Sequence, residues 1–151
     1  MWCAMAVDLS RPLKAAIVDH LFADTLLTSL VPADRIYAMS PPASPKWPFV
    51  RYGSPIASPY EATCWNGATV TVTLHAFAET KKATSTGPFY AGEDRALDIA
   101  AAIVKAMETF DPDGLDIIEC EWTGTQCVKD NDEADQWHSW CQFSITVVEP
   151  Q

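Results

Sequence analysis

Three histidines, five cysteines and a dense run of carboxylates are the groups in this chain with chemical potential. His20, His75 and His138 are far apart in sequence. An acid–base histidine needs a partner held within hydrogen-bond reach, and no such pairing is legible here, so each reads as a helix or strand residue with a satisfied ring. Cys3, Cys64, Cys120, Cys127 and Cys141 lack Cys-x-x-Cys spacing, which argues against a zinc site. Half of the twenty acids lie between Glu108 and Asp135, where Lys129 is the only base. Within that run, Asp130 and Asp132 imitate the start of a calcium loop. Ala134 falls where a third ligand belongs, and the required Gly and distal Glu are missing. The run therefore reads as a solvated face. Gly-rich phosphate loops, Gly-x-Ser-x-Gly elbows and His-Glu-x-x-His helices are also missing, which favours a structural or binding role over an enzyme, with no cofactor and no metal.

The elements that would position these groups follow from periodicity. Gly67 to Phe77 alternates strictly, with Val70, Val72, Leu74 and Ala76 on one side and Thr69, Thr71, Thr73, His75 and Phe77 on the other. That is a half-buried strand, and it is expected at the centre of a sheet. Ahead of it, Leu9, Leu13, Ala16, Ile17, His20 and Leu21 recur at helical spacing behind Ser10 as N-cap. Asp24 then caps a short helical tail that Pro32 ends. Arg35 to Tyr37 is extended. Six of the eleven prolines lie between Ser40 and Pro59, implying an extended loop that holds one strand at Phe49 to Gly53. Trp47 and Tyr60 beside these prolines mark either a partner surface or a cover folded back on the domain. Asn66-Gly67 suits a type I′ turn, which would pair Tyr60 to Trp65 with the central strand.

A long polar connection runs from Glu79 to Gly92. A second helix follows, with Ala96, Ile99, Ala100, Ile103 and Met107 as its buried stripe and alanines at 100–102 for close approach to a sheet. Glu93 and Asp94 favour its N-terminus. Asp111-Pro112-Asp113-Gly114 has type I turn residues. Two alternating strands close the chain, at Ile118–Trp122 and Trp137–Val147, joined by the acidic connection. The order implies one α+β domain over residues 1–151, an antiparallel-rich mixed sheet with two main helices packed on one face.

The net charge of −10 argues against a surface that grips phosphates. The apolar runs fall far short of the ~20 residues of a membrane span. The opening Met-Trp-Cys-Ala-Met-Ala-Val-Asp lacks the basic region of a signal peptide, so the cysteines are expected as thiols in a reducing compartment.

From about Leu13 to Glu149 the chain resembles the tail terminator, or tail completion, family of long-tailed bacteriophages and gene transfer agents. The resemblance is carried by Ala16-Ile17, Leu21-Phe22-Ala23-Asp24, Arg35-Ile36-Tyr37 leading to Pro41-Pro42, and Pro48-Phe49-Val50 with Tyr52-Gly53. It continues through the alternating strand Val70–Phe77, the Ala-rich helix Ala96–Met107, and Lys129-Asp130-x-Asp132 ahead of the strand at His138. The chain departs from the family pattern in a longer Glu79–Gly92 loop and in the bulk of Trp137 and Trp140.

The resemblance implies a homohexameric ring that caps the tail tube, ends its polymerisation and joins it to the neck, with DNA passing through the lumen. The implied partners are the same chain, the major tail tube protein and a head-closure or neck protein. The implied place is the tail–neck junction of a virion assembled in the bacterial host cytoplasm. On this reading Trp65, Thr71, Thr73, His75, Phe77, Lys81, Lys82, Phe89 and Tyr90 are subunit- or tail-interface candidates. Glu119, Glu121, Asp130, Asp132 and Asp135 are candidates for a lumen that repels DNA. The alternatives are another neck component, such as a head-closure or stopper protein, or a small-molecule-binding α+β domain; a small enzyme built on His75 or His138 ranks behind them.

Overall fold

The computed structural model describes residues 7–60, 65–85 and 87–150. Helix α1 spans Ser10–Ala23 and α2 Thr25–Leu30; a 3-10 turn at Ala33–Arg35 leads into strand β1, Ile36–Tyr37. Strands β2 (Phe49–Tyr52), β3 (Ile56–Pro59) and β4 (Gly67–Glu79) follow, then helix α3 (Gly92–Met107) and strands β5 (Asp116–Asn131) and β6 (Gln136–Val148). The six strands form one mixed sheet in the order β1-β2-β4-β6-β5, with β3 also on β4. Among the described residues only the β1–β2 pairing is parallel. The α+β architecture expected from the sequence is the one observed.

The alternation of β4 decides which side is core. Val70, Val72, Leu74 and Ala76 are fully buried beneath the helices, joined by Phe143, Ile145 and Val147 of β6. Leu13, Ile17 and Leu21 of α1 and Ile99 and Ile103 of α3 fill the same core from above. Ala101 departs from expectation, since it is exposed while Ala100 and Ala102 are buried. Two ties fix the helices in place: Ser139 Oγ donates to the Ala96 carbonyl at 2.7 Å, and His20 Nε2 meets the Ala106 carbonyl at 2.7 Å.

Several local expectations are corrected. Ser10 is the first residue of α1 rather than its cap; the Asp8 carboxylate accepts from the Ser10 N–H at 2.9 Å and from its hydroxyl. A carboxylate two residues upstream reaches the orphan donors better than the shorter hydroxyl. The Asp24 cap is as expected, accepting from Leu27 N–H at 2.8 Å. Asn66-Gly67 is not a type I′ turn, because positive φ occurs elsewhere, at Gly114, Gly124 and Asp135. Glycine is required at 67 for space: a Cβ there would stand 2.2 Å from the Val147 carbonyl oxygen. The hairpin onto β4 is made by Ile56–Pro59, within the stretch expected to be interrupted by proline. An edge strand exposed along its whole length tolerates Pro59, which has no N–H to lose from the ladder. Residues 61–64 of the expected partner lie outside the described residues, as do Cys3 and Cys64. Cys120, Cys127 and Cys141 are free thiols.

Strand β5 is about three times the length anticipated, because the ladder runs on past Trp122, from Gly124 to Asn131, with a bulge at Asp130. The acidic connection is thereby reduced to a tight turn, in which Asn131 Oδ1 accepts from the N–H groups of Glu133 and Ala134. The described residues of the Glu79–Gly92 connection pair with one another. Lys81 and Tyr90 exchange backbone hydrogen bonds of 3.0 Å each, and Thr84 pairs with Gly87, which makes a short two-stranded arm.

Candidate functional site

The face of the sheet away from the helices is built from the second set of alternating residues. Directly paired residues on neighbouring strands share a face, so the register assembles it in rows. Thr69, Thr146 and Glu119 form one row and Thr71, Ser144 and Glu121 the next. Then come Thr73 with Gln142 and Gly124, His75 with Trp140 and Gln126, and Phe77 with His138 and Val128. The face thus grades from hydroxyls and carboxylates at one end to aromatics and imidazoles at the other.

At the aromatic end β2 adds Phe49 and Arg51. Phe49 stacks on Phe77 at 4.6 Å between centroids, and Phe77 stacks on His138 at 4.2 Å. Trp47, from the proline-rich loop, meets both Phe49 and Phe77 edge-on, at 5.1 and 6.0 Å. Of the two readings left open for Trp47, folding back on the domain is the one observed. Arg51 lies 5.8 Å from the Phe77 centroid. His75 Nδ1 and His138 Nε2 are 2.7 Å apart, a hydrogen bond in which one neutral ring donates its N–H to the other's lone pair. Burial, then Arg51, then His138 push His75 down to about 4. His138 is also held low, first by burial.

The acids lie along β5 and its turn. Glu119, Glu121, Asp130 and Asp132 are exposed. Asp135 is engaged within the turn: its carboxylate accepts from the Thr80 hydroxyl and from Trp137 Nε1–H at 3.0 Å, and it pairs with Lys129 at 3.4 Å. Those hydrogen bonds hold its carboxyl below the usual range, against a small opposing desolvation. Because Thr80 Oγ1 also accepts from Gly92 N–H at 2.9 Å, Asp135 anchors the base of the arm and the start of α3 together. On the arm itself Lys81, Lys82 and Phe89 are exposed, whereas Tyr90 folds back under Arg95, whose guanidinium lies 4.1 Å from the ring centre.

Among the described residues, no three of His, Cys, Asp and Glu gather as metal ligands would. A groove of about 610 Å³ runs between α1 and residues 110–115, and is open and lined by Asp19, His20, Asp111 and Asp113 as well as apolar groups. This surface offers broad contact instead of an enclosed reaction chamber.

The family model described as "Tail completion protein gp17" matches residues 15–148. The chain belongs to that family. It is a structural protein of the bacteriophage tail kind. Comparison with curated protein sequences gives no match. Among solved structures, a chain from the virion of a native gene transfer agent particle has the same fold, with a TM-score of 0.71 at 20% identity, covering 90% of this chain and 94% of that one.

Within this tail completion protein, Thr71, Thr73, His75 and Phe77 come together on the open face, as the alternation implied. Trp65 does not join them: it precedes β4 and lies 12 residues from Phe77, roughly 40 Å along the strand. Trp47, Phe49, Arg51, His138 and Trp140 belong to the same cluster; of these only Trp47 stands out in the sequence as a possible partner surface, beside the prolines. The signal for the last two was the even-numbered half of β6, which the odd apolar positions overshadowed. Ile118 and Trp122, apolar positions of the alternating β5 segment, are both exposed on this edge strand.

Proposed function

We propose that this chain closes as a homohexameric ring on the last turn of the tail tube. There it ends polymerisation and joins the tail to the neck, leaving a lumen through which DNA passes. The observation that carries this is membership of the tail completion family across residues 15–148. The fold it shares with a chain of a gene transfer agent virion supports the same reading. Its role is to bind and position, with no chemical step. Its contacts are other copies of itself, the tail tube protein below and a head-closure protein above, at the tail–neck junction of a particle assembled in the host cytoplasm.

On this reading the surfaces take different parts. The open face, with Thr71, Thr73, His75 and Phe77, is a broad contact surface. The arm presents Lys81, Lys82 and Phe89 to the tube or to a neighbouring copy, and Trp65 marks a second contact at the far end of β4. Asp130 and Asp132 at the tip of the β5–β6 hairpin supply lumen charge that repels the phosphate backbone, so DNA slides without adhering.

A particle reconstruction tests the reading through the position and symmetry of this chain. Density against the final tube ring is expected; density only on the portal side would replace it with a head-closure role. Deleting residues Lys82 to Thr86 supplies a functional test, in which the chain folds but tail joining falls. Normal joining would remove the arm from the mechanism.

A further inference from the structure

A notch of about 260 Å³ opens at the edge of the sheet where β1 ends and leaves β2 uncovered. Lys14, Met39, Arg51, Tyr52 and Pro55 line it, and no carboxylate does. Lys14 Nζ lies 5.9 Å from the Tyr52 ring centre, and neither Lys14 nor Arg51 has an ion-pair partner among the described residues. Tyr52 is only 6% exposed, yet its hydroxyl lacks a hydrogen-bond partner. A buried hydroxyl in that state costs free energy that an entering acceptor would recover. Arg51 stands on the open-face side of this edge and Lys14 with Tyr52 on its helix side, so the notch offers a cation on either side of the strand and an unmatched O–H donor, which suits a carboxylate.

The opposite edge of the same sheet presents carboxylates. Strand β5 carries Glu119 and Glu121, both exposed, and among the described residues neither has an ion-pair partner. Trp122, 52% exposed, projects from the opposite, helix-side face of the same edge strand, and Met39, 71% exposed, lines the notch. The charge of the chain is divided in the same way. Residues 1–60 carry five bases and four acids, whereas residues 108–135 carry ten acids and one base.

The two patches also lie at nearly the same height on the sheet. Tyr52 pairs with Leu74, and Glu121 pairs with Ser144, which pairs with Thr71. They are therefore three residues apart along β4, roughly 10 Å. Complementary patches on opposite edges at similar height are what a head-to-tail interface between identical copies requires, and such an interface closes into a ring.

We infer that the notch at Lys14, Arg51 and Tyr52 receives the Glu119–Glu121 edge of a second copy of this chain, with Met39 packing against its Trp122. This rests on the ring reading above and names the seam within it. Glu119 and Glu121 then belong to the subunit contact, leaving Asp130 and Asp132 for the lumen.

Charge reversal tests the pairing through sedimentation of the purified chain at low salt. Lys14→Glu with Arg51→Glu makes both edges acidic, and Glu119→Lys with Glu121→Lys makes both basic. Each double variant should self-associate ~10-fold more weakly than wild type or worse. An equimolar mixture of the two should recover association, because acidic notches meet basic strands and basic notches meet acidic strands in alternation, which closes in any even-numbered ring. Met39→Asp, at a side chain open to solvent, gives a variant whose folding is not in question and which should weaken association too.

Wild-type association in both reversed variants, or no recovery on mixing well-folded variants, overturns the inference. So does a wild-type chain that stays monomeric up to about 1 mM. If the notch variant loses binding to tail tubes while wild type does not self-associate, the notch serves another virion protein and this inference fails. The ring reading fails separately, by the chain's absence from the tail end of the particle, whatever its behaviour in solution.

Discussion

His75 and His138 share a hydrogen bond on the open face, and both rings resist protonation there. Burial is the main cause, with Arg51 adding to it, and His75 falls to about 4. The unfolded rings take up protons near pH 6.5, before the folded ones do. Stability is therefore full above about pH 6.5, falls as pH drops from there toward 4, and stops falling once folded His75 is protonated as well. Both rings keep part of their hydration, so the loss should be about 1–2 kcal/mol. Thermal unfolding between about pH 7 and pH 4.5 should show it, with a smaller loss in His75→Gln; a flat melting temperature in the wild type would contradict it. Gly67 is a second residue whose type is dictated by a neighbour. Gly67→Ala would drive a methyl group into the Val147 carbonyl at 2.2 Å and should destabilise by about 2 kcal/mol or more, measured by urea unfolding.

Among the elements, α2 is short enough that its cap matters. Its six residues begin with the Asp24 carboxylate accepting from Leu27 N–H, and Asp24→Ala should cost about 1 kcal/mol with an unchanged denaturant slope. A cost near zero would mean that packing of Leu27 alone holds the turn. The arm depends on a different fastening, the hydrogen bonds of Asp135 to Thr80 and Trp137. Strand β5 is the element with most left open: one edge pairs with β6 and the other with nothing among the described residues. Its three register shifts and its carboxylates discourage indiscriminate edge pairing while leaving it available to a matched partner.

At the scale of the whole molecule, ten net negative charges are distributed very unevenly. A ring of such chains presents an acidic lumen if Asp130 and Asp132 point inward, and repulsion there lowers friction on DNA. Asp130→Asn with Asp132→Asn should leave the chain's stability within about 0.5 kcal/mol, since both residues are exposed. The same change should slow DNA ejection or lower transfer efficiency, read by particle titre and by timed DNA release. Unchanged release would place these acids on the outer rim.

The main elements and their buried faces were legible in the sequence because alternation and helical spacing are local properties. Gly67–Phe77 announced the central strand, and Ala96–Met107 announced α3 with the buried stripe observed. The α+β class followed from their order. The tertiary structure alone decided which groups meet across strands. His75 and His138 are 63 residues apart and become partners only through the β4–β6 register. Trp47 covers Phe77 because the proline-rich loop folds back, and Gly67 answers to a carbonyl on another strand rather than to its own turn. The acidic run and the notch likewise acquire opposite places only when the sheet orders its strands. Composition records how many charges a chain has. Which edge each one occupies depends on long-range pairing, which periodicity along the chain does not encode.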